Sequence, residues 1–399
     1  MPIKTLTFYS NYYNHHQKAL CDEWYRLLGD GFTFVETEPI EAFRAGMGWG
    51  AEEIPPYVLK THVSDENREK GMRLSVESDL VVMGTAPEEF VEARLQADKL
   101  TFRYSERPLK EGFIKFFIPR LTKKYIRLHI KNRKKRLYIL AASAYTAYDY
   151  RKMRCYLNKC YKFGYFPQFL AYDVDQLMMD KRREATVDGE AETNTTILWA
   201  GRMLKLKRPD LVIEAAKRLR EKGYHFTLTM IGEGEERSKM EHLAEEYGLS
   251  EITKFVDFLS PLEARDRMAK ADIYVMTSNF WEGWGSVIYE ALNAGCAVVA
   301  SHACGATPWL VQHQKTGLVF KSGSIKSITE QLEMLLKHRE LQEQYGRAAY
   351  QQMNQWWNPR VAAESVLHLT ECLEAGGDTD IAEGPCSKAG ILKNNWFHG

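Results

Sequence analysis

The chain has 399 residues, of which 45% are hydrophobic and 27% are charged, and its formal net charge at pH 7 is +1. This length is sufficient for two domains with separate cores, and the near-zero charge excludes a protein that binds polyanions over its whole surface. The seven cysteines are scattered and form no paired metal-ligand pattern, which is typical of reduced thiols in a cytoplasmic protein. We find no signal-peptide core and no transmembrane stretch, so we expect the protein to stay on the cytoplasmic side.

The first half of the chain predicts strands that alternate with helices. The segment LTFYS from Leu6 is a candidate buried strand, and the next segment repeats apolar residues at helical spacing. The further strands that we expect lie near Tyr57, Val81, Phe102, Ile139 and Phe163. This alternation is typical of a βαβ domain, which we place at residues 1–166.

A polar loop connects the first predicted strand to its helix. It contains Asn14, His15 and His16. Such a loop lies at the carboxyl end of a strand, which is where open parallel sheets bind ligands. These side chains are therefore candidate ligand contacts, and the alternative for the two histidines is an ordinary surface or helix-cap position.

The stretch from Arg107 to Arg136, called the basic segment below, contains twelve Lys or Arg residues and the single acid Glu111. Phenylalanines and other apolar residues are interleaved at roughly helical spacing, which predicts a basic amphipathic surface. Such a surface favours binding to an anionic membrane. The alternative is a helix whose apolar stripe packs on the sheet while its charges are merely solvated.

Residues 167–195 are rich in charge and poor in strand pattern, which predicts an interdomain linker. This stretch contains Asp173-Val174-Asp175. In some metal-dependent enzymes, two aspartates at this spacing hold a divalent metal ion on a nucleotide substrate. Because the motif lies in a linker and does not follow a core strand, we expect it to bind no metal.

The stretch from Ser278 to Gly295 has the most informative pattern in the chain. A continuous apolar run before it predicts a buried parallel strand, and helical spacing begins at Ser286. The loop between these elements consists of Glu282, Gly283, Trp284 and Gly285. Glycines let a ligand approach the backbone closely, and the free N–H groups of a first helical turn favour phosphate. Glu282 and Glu290 add acceptors for sugar and ribose hydroxyls.

The Glu282 to Glu290 spacing resembles the Glu-x7-Glu signature of retaining glycosyltransferases with the GT-B fold, and especially of glycosyltransferase family 4. The preceding strand, the glycines, the helix and the following strand CAVVAS all match the family pattern. The resemblance implies that Glu282 holds donor-sugar hydroxyls and that Glu290 holds the ribose. It also implies that Arg202 and Lys207 lie on the donor diphosphate, where cations stabilise the charge of the leaving group.

Further donor contacts follow from the same resemblance. The GEG turn lies beside the nucleotide in the family, and the backbone of the VDFLSPLE segment meets the base. The donor-binding residues implied in this way are Gly232, Glu233, Gly234, Phe258, Leu259, Gly283, Trp284, Gly285, Ser286, Val287 and Glu290. Catalytic roles fall to Arg202, Lys207 and Glu282.

The chain departs from the family pattern at two places. Members usually carry a histidine after a middle strand of the first domain, whereas this chain has Glu106 and Arg107 there. These two residues are acceptor-side candidates, and an ion pair that anchors the loop is the alternative. Many members also have Pro-Glu where this chain has Pro308-Trp309, so a donor contact by that glutamate is missing or moved.

We therefore predict an α/β protein with the GT-B fold, in which two Rossmann-like parallel-sheet domains face each other across a cleft and a C-terminal helix crosses back to the first domain. The predicted parts are an acceptor-binding domain at 1–166, a linker at 167–195, a nucleotide-sugar-binding domain at 196–357, and a crossover helix and tail at 358–399 that pack on the N-terminal domain.

The predicted activity is transfer of a sugar, with retention of configuration, from a nucleotide diphosphate sugar to a hydroxyl of a lipid-linked or cell-surface glycan precursor. No metal and no cofactor are expected, because Arg202, Lys207 and the helix end at Ser286 neutralise the diphosphate. We expect a cytoplasmic protein with a peripheral position on the inner face of the membrane. The alternatives are a GT-B epimerase or hydrolase and, in another class, a non-enzymatic nucleic-acid-binding protein; the latter leaves the two glutamates unexplained, so we expect no nucleic-acid partner.

Overall fold

The computed structural model describes residues 2–41, 53–184 and 195–398. Its contacts divide the chain into two compact units, each made of two separate segments of chain. The first unit comprises Met1–Phe169 and Trp356–Lys393, and the second comprises Leu170–Gln355 and Asn394–Gly399. Within the described residues, no helix is both long enough and apolar enough to cross a bilayer.

The first unit is built on a seven-stranded sheet. Its strands are β1 Leu6–Ser10, β2 Phe32–Glu36, β3 Val58–Lys60, β4 Leu80–Met83, β5 Thr101–Ser105, β6 Leu137–Ala141 and β7 Cys160–Lys162. The order is β3-β2-β1-β4-β5-β6-β7, and neighbouring strands are parallel. The predicted strands are confirmed, whereas β2 was not predicted. The strand order reverses between β1 and β4, so their carboxyl ends form a switch point of the kind at which open sheets bind ligands.

The second unit is built on a six-stranded parallel sheet. Its strands are β8 Thr195–Ala200, β9 Phe226–Ile231, β10 Thr253–Val256, β11 Ile273–Met276, β12 Ala297–Ser301 and β13 Gly317–Phe320. The order is β10-β9-β8-β11-β12-β13, with the reversal between β8 and β11. Every residue of β11 and β12 is buried, which explains why both appear in the sequence as continuous apolar runs.

Helices connect the strands in both units. They are α1 His15–Leu28, α2 Asp65–Glu77, α3 Glu89–Gln96, α4 Pro119–Tyr125, α5 Thr146–Lys152, α6 Val174–Glu184, α7 Asp210–Glu221, α8 Arg237–Glu246, α9 Pro261–Lys270, α10 Val287–Asn293, α11 Thr307–Leu310, α12 Ile325–Lys337, α13 Arg339–Gln355 and α14 Pro359–Glu374. Several begin at a side-chain cap; in α9, Ser260 and Glu263 form a reciprocal capping box. The predicted helix after β1 is confirmed as α1, and it buries Leu20 and Trp24.

The predicted linker at 167–195 contains helix α6, which packs within the second unit. The Lys181 ammonium of α6 is buried and donates to the carbonyl oxygen of Met268, at 3.0 Å, and to that of Ala271. The linker prediction is therefore wrong for this helix. Its charged residues suggested an exposed segment, but the Lys181 ammonium is buried and hydrogen-bonded to carbonyl oxygens. Residues 185–194 of the predicted linker lie outside the described part of the chain.

The C-terminal segment divides between the two units. Helix α14 packs on α1, where the Trp24 indole N–H donates to the carbonyl oxygen of Ala363 at 3.3 Å, so the predicted return of the last helix to the first unit is confirmed. The expectation that the whole tail packs on the first domain is wrong for its last residues. The Trp396 indole donates to the carbonyl oxygen of His302 in the second unit at 3.3 Å, because that histidine offers both an acceptor and an aromatic face.

Candidate functional site

The predicted donor site lies at the carboxyl edge of the second sheet. Arg202 follows β8, Gly232 follows β9, and Glu282 follows β11. Since β8 lies between β9 and β11 in the sheet, these three loops meet at the switch point. The fold thus brings together residues that are far apart in the sequence, and the exposed Arg202 side chain is accessible to a ligand there.

Lys207 and Glu282 form an ion pair at this edge. Their side chains are only 16% and 14% exposed, respectively. The Ser278 hydroxyl donates to the same Glu282 carboxylate at 3.0 Å, and the Thr277 hydroxyl donates to the Lys207 carbonyl oxygen at 2.6 Å. Two residues at the end of β11 therefore fix both partners, so the cation expected on a diphosphate and the carboxylate expected on a sugar lie side by side.

Glu290 lies on α10 in a partly buried position. Burial disfavours its charged form and raises the pKa of the carboxyl to about 7, while the nearby Arg265 cation acts in the opposite direction. The Arg265 guanidinium also donates to the Asn293 side chain one helical turn further on. Glu290 therefore exchanges its proton near neutral pH, unlike an ordinary surface glutamate.

The glycines of this site are required first by the protein's own packing. Gly232 has φ +124°, and a Cβ there would lie 2.2 Å from the carbonyl oxygen of Gly201. Gly285 has φ +87°, and its Cβ would lie 2.5 Å from the Cys304 sulfur. The turn at Gly232 thus packs directly on the turn after β8, where the Met203 N–H donates to the Glu233 carbonyl oxygen at 2.7 Å.

Trp284 does not present its ring to a ligand in this structure. The side chain is 1% exposed and packs on Trp309, with ring centroids 5.9 Å apart. Its carbonyl oxygen accepts from the Ala306 N–H at 3.0 Å. The predicted donor contact of Trp284 is therefore limited to its backbone, because the ring belongs to the core. The Pro308-Trp309 departure from the family pattern supplies the ring that holds it there.

The remaining predicted donor residues border the same edge. Ser286 is the first residue before α10, and Val287 begins the helix, so their N–H groups belong to its first turn. Phe258 and Leu259 follow β10 and precede the capping box of α9. Phe258 is 45% exposed, so its ring is available to a ligand.

The polar loop of the first unit is organised by its own contacts. The Asn14 side chain accepts from the His16 N–H at 3.0 Å and caps α1. This predicted acceptor-side residue is thus the N-cap of the first helix. The rings of His15 and His16 lie 3.9 Å apart. Burial and the neighbouring His15 lower the pKa of His16 to about 3, so this imidazole is neutral at physiological pH.

The two residues that replace the expected family histidine have separate structural roles. The buried Arg107 guanidinium pairs with the Asp149 carboxylate at 3.1 Å, and this carboxylate also accepts from the Leu109 N–H at 3.0 Å. Arg107 thus anchors the loop through an ion pair, which is the alternative to an acceptor-side role. Glu106 accepts from the Tyr165 hydroxyl at 3.1 Å and lies 3.6 Å from the Lys110 ammonium.

A buried carboxylate at the same edge of the first sheet escaped the sequence analysis. Glu36 ends β2 and accepts from the Tyr13 N–H and from the His62 imidazole, both at 2.9 Å. Because β2 was not predicted, Glu36 was not assigned to a sheet edge. The alternating segment FTFVE was the signal that could have identified it.

The basic segment forms short turns in place of one long helix. A 3₁₀ turn at Phe113–Phe117, helix α4 and a π turn at Ile126–Ile130 follow one another. Ile114 and Phe117 are 74% and 70% exposed, so the apolar residues do not all pack on the sheet as the alternative reading requires. The exposed cations beside them are Arg120, Lys123, Lys124, Arg127, Lys131, Arg133 and Lys134.

The Asp173-Val174-Asp175 motif makes protein contacts. The Asp173 carboxylate accepts from the N–H groups of Asp175 and Gln176, at 3.0 and 3.1 Å, at the start of α6. The Asp175 carboxylate pairs with Arg347. Both carboxylates therefore contribute to the fold, Asp173 at the start of α6 and Asp175 through its ion pair.

Comparison with solved structures defines the class of fold. Over 93% of this chain and 100% of the other, the protein is similar to Anabaena Alr3699/HepE in complex with UDP, with a TM-score of 0.67 and 15% identity. It is also similar to WaaG, a glycosyltransferase involved in lipopolysaccharide biosynthesis, with a TM-score of 0.60 and 16% identity over 92% of this chain and 99% of the other. The fold is that of GT-B glycosyltransferases.

The sequence comparisons concern the second unit. Residues 180–352 match the family described as "Glycosyl transferases group 1". Among curated relatives, a GDP-mannose-dependent phosphatidylinositol monomannoside mannosyltransferase of Mycobacterium tuberculosis is 27% identical over 41% of this chain and 43% of its own length. A D-inositol 3-phosphate glycosyltransferase of Corynebacterium aurimucosum is 30% identical over 40% of this chain and 39% of its own length. The chain thus spans less than half the length of these relatives.

Proposed function

We propose that the protein is a retaining glycosyltransferase that moves a sugar from a nucleotide diphosphate sugar to a hydroxyl acceptor. The observation that carries this proposal is the Lys207–Glu282 pair at the switch point of the second sheet, where Arg202 follows the central strand β8. The family match over 180–352 and the names of the relatives support the same reaction class. Structural neighbours were solved with UDP and UDP-glucose, which supports a donor of this chemical type.

Each residue has a distinct task in this proposal. Arg202 and Lys207 neutralise the diphosphate as the bond to the sugar breaks, and fixed cations in a partly buried site do this without reorganisation. Glu282 accepts hydrogen bonds from sugar hydroxyls, since Ser278 and Lys207 already hold its carboxylate in place. Glu290 accepts from the ribose. With these cations on the diphosphate, transfer requires no divalent metal.

A panel of nucleotide sugars scored by thermal shift tests the donor. A ligand that binds only the folded protein raises its melting temperature. The stabilising donor is then incubated with acceptors, and NMR of the product gives its anomeric configuration. Release of nucleotide without a glycosylated product would instead favour a hydrolase, and an inverted product would contradict retention. Transfer that stops with chelator and returns with manganese would contradict metal independence.

We further propose that the acceptor is lipid-linked or a growing surface glycan, and that the basic segment binds the inner face of an anionic membrane. The exposed Ile114 and Phe117 beside several exposed cations support this. Each cation close to an anionic surface contributes about 1 kcal/mol, and apolar side chains enter the headgroup layer.

Vesicle co-sedimentation tests the membrane proposal. Binding should require anionic lipid, weaken as salt rises, and weaken when Lys131, Arg133 and Lys134 are replaced by Gln. A matched control replaces Lys217, Lys239 and Lys326 of the second unit, which leaves the net charge equal to that of the test variant. Equal binding by both variants, or no binding at low salt, would favour a soluble acceptor.

A further inference from the structure

The last turns of α14 bring three metal-ligating side chains together in the first unit. His368 and Cys372 are four residues apart, so they lie on one face of the helix. The chain reverses after the helix, where Gly376 has φ +79° and the Gly377 N–H donates to the Cys372 carbonyl oxygen at 3.0 Å. This reversal returns Asp380 to the same face.

The three ligand atoms lie close enough together to share one small cation. The His368 Nε2 atom lies 2.6 Å from the Asp380 Oδ1 atom and 3.7 Å from the Cys372 sulfur. All three atoms lie within 4.8 Å of one another. Tetrahedral zinc with bonds of about 2.0 Å to nitrogen and oxygen and about 2.3 Å to sulfur separates its ligands by roughly 3.3–3.6 Å. A modest outward movement of the Asp380 carboxylate therefore brings its separation from His368 into this range.

The surroundings of Cys372 favour a cation. The carboxylates of Asp380, Glu371 and Asp378 all act electrostatically on this side chain. The local field is thus negative, which favours a bound cation. Cys372 is partly exposed, whereas the other six cysteines are buried, so it alone can be reached by a metal ion from solvent.

We propose that His368, Cys372 and Asp380 bind a zinc ion, with water as the fourth ligand. The Cys372 thiol loses its proton to solvent on binding, and the His368–Asp380 hydrogen bond is replaced by two bonds to the metal. The ion would fasten the segment that follows α14 to the helix itself. This is a structural site at the end of the first unit, and it is independent of the proposed glycosyl transfer.

Cobalt titration of the full chain, after treatment with a chelator, tests the site. One equivalent of cobalt should give a thiolate-to-cobalt charge-transfer band in the near ultraviolet, and zinc should abolish it. Cys372→Ser should lose the band, and His368→Ala should weaken cobalt binding at least tenfold. His338→Ala is the control, because this exposed histidine pairs with Glu340 elsewhere and should leave the band unchanged.

A second measurement does not depend on the variants. Zinc should slow alkylation of Cys372 in the native wild-type chain, measured by mass spectrometry, at least tenfold, and should raise the melting temperature. The proposal is overturned if cobalt gives no thiolate band, if the band persists in Cys372→Ser, or if alkylation is equally fast with and without zinc. Sugar transfer that continues in the chelator would leave the zinc site and the proposed function separately testable.

Discussion

Glu282 and Glu290 are both carboxylates at the same sheet edge, yet their surroundings give them different properties. Glu282 is held by an ammonium and a hydroxyl, so its charge is compensated within the protein. Glu290 lies on α10, where burial outweighs the effect of Arg265 and raises the pKa of the carboxyl to about 7. Residue identity alone therefore does not give the protonation state at this site.

Replacing Glu290 with Gln should remove one pH-dependent contribution to the stability of the folded chain. The pKa of Glu290 is about 7 in the folded chain, against an ordinary value of 4.5. The folded chain therefore binds a proton that the unfolded chain releases between these values. The contribution of Glu290 to stability should therefore fall as pH rises from about 4.5 to about 7, by at most about 1.4 kcal/mol for each unit of displacement, and this fall should be absent from Glu290→Gln. Urea unfolding at several pH values measures this, with the exposed Glu330→Gln as control; parallel curves for wild type and Glu290→Gln would contradict the assignment.

Replacing Lys207 with Ala should lower turnover more than donor affinity. Its charge matters most as the diphosphate leaves, so the loss belongs mainly to the transition state, and a reduction in kcat of roughly 10²–10³-fold is expected by analogy with loss of one donor to a developing oxyanion. Steady-state kinetics and donor titration separate the two effects. Lys205→Ala, an exposed cation two residues away, should change neither by more than a few fold. Weakened donor binding with intact turnover would remove Lys207 from its proposed role.

At the scale of elements, the basic segment carries positive charge along its whole length, but its cations differ in burial. Arg107 at its start is buried against Asp149, whereas most of the later cations are exposed. The first cation therefore contributes to folding, and the exposed ones are free to act on a membrane surface. The basic segment is thus anchored to the fold at Arg107, and most of its later cations are accessible to solvent.

Replacing Asp149 with Ala should destabilise the first unit by about 3–5 kcal/mol, because it leaves the buried Arg107 charge unpaired. The Leu109 N–H would lose its acceptor as well. Chemical denaturation measures the change. Glu111→Ala is the control, since Glu111 is half-exposed and forms an ion pair with Lys115 in the same segment, so a loss of at most about 1 kcal/mol is expected. Similar losses of stability in both variants would mean that the buried Arg107–Asp149 pair stabilises the fold no more than an exposed pair does.

At the scale of the whole molecule, the first unit depends on residues from both ends of the chain. Helix α14 packs on α1, and Trp24 bonds to Ala363 across this contact. The ring of Trp24 also packs on Phe8 and Phe32, with centroids 5.8 and 5.7 Å away. The C-terminal helix therefore contributes to the core of the first unit.

Trp24→Ala should cost about 3–5 kcal/mol, since it removes a fully buried ring from this contact. Trp356→Ala is the matched control, because that ring is 44% exposed, and its melting temperature should change much less. Differential scanning calorimetry compares the two variants. Donor binding below the melting temperature should persist in both, as the donor residues lie in the second unit. A large loss in Trp356→Ala alone would contradict this account of the packing.

The sequence by itself determined the strands of the first sheet apart from β2, the strands β11 and β12 on either side of the Glu282 motif, the helix after the Glu282 loop and the return of the last helix. Buried strands are continuous apolar runs, and helices repeat apolar residues at a fixed spacing, so both are local patterns. The sequence also predicted that Arg202, Lys207 and Glu282 follow the carboxyl ends of their strands. The donor-site contacts that the sequence proposed await the titrations above.

Only the tertiary structure decided how those residues are paired and buried. That Lys207 contacts Glu282, that Arg107 contacts Asp149 and that Trp284 packs on Trp309 depends on strand order and on loops distant in the sequence. The burial of Lys181 of α6, and its hydrogen bond to the Met268 carbonyl oxygen, also depend on the tertiary structure. Burial and partner distance are properties of three-dimensional neighbours, and periodicity along the chain does not contain them.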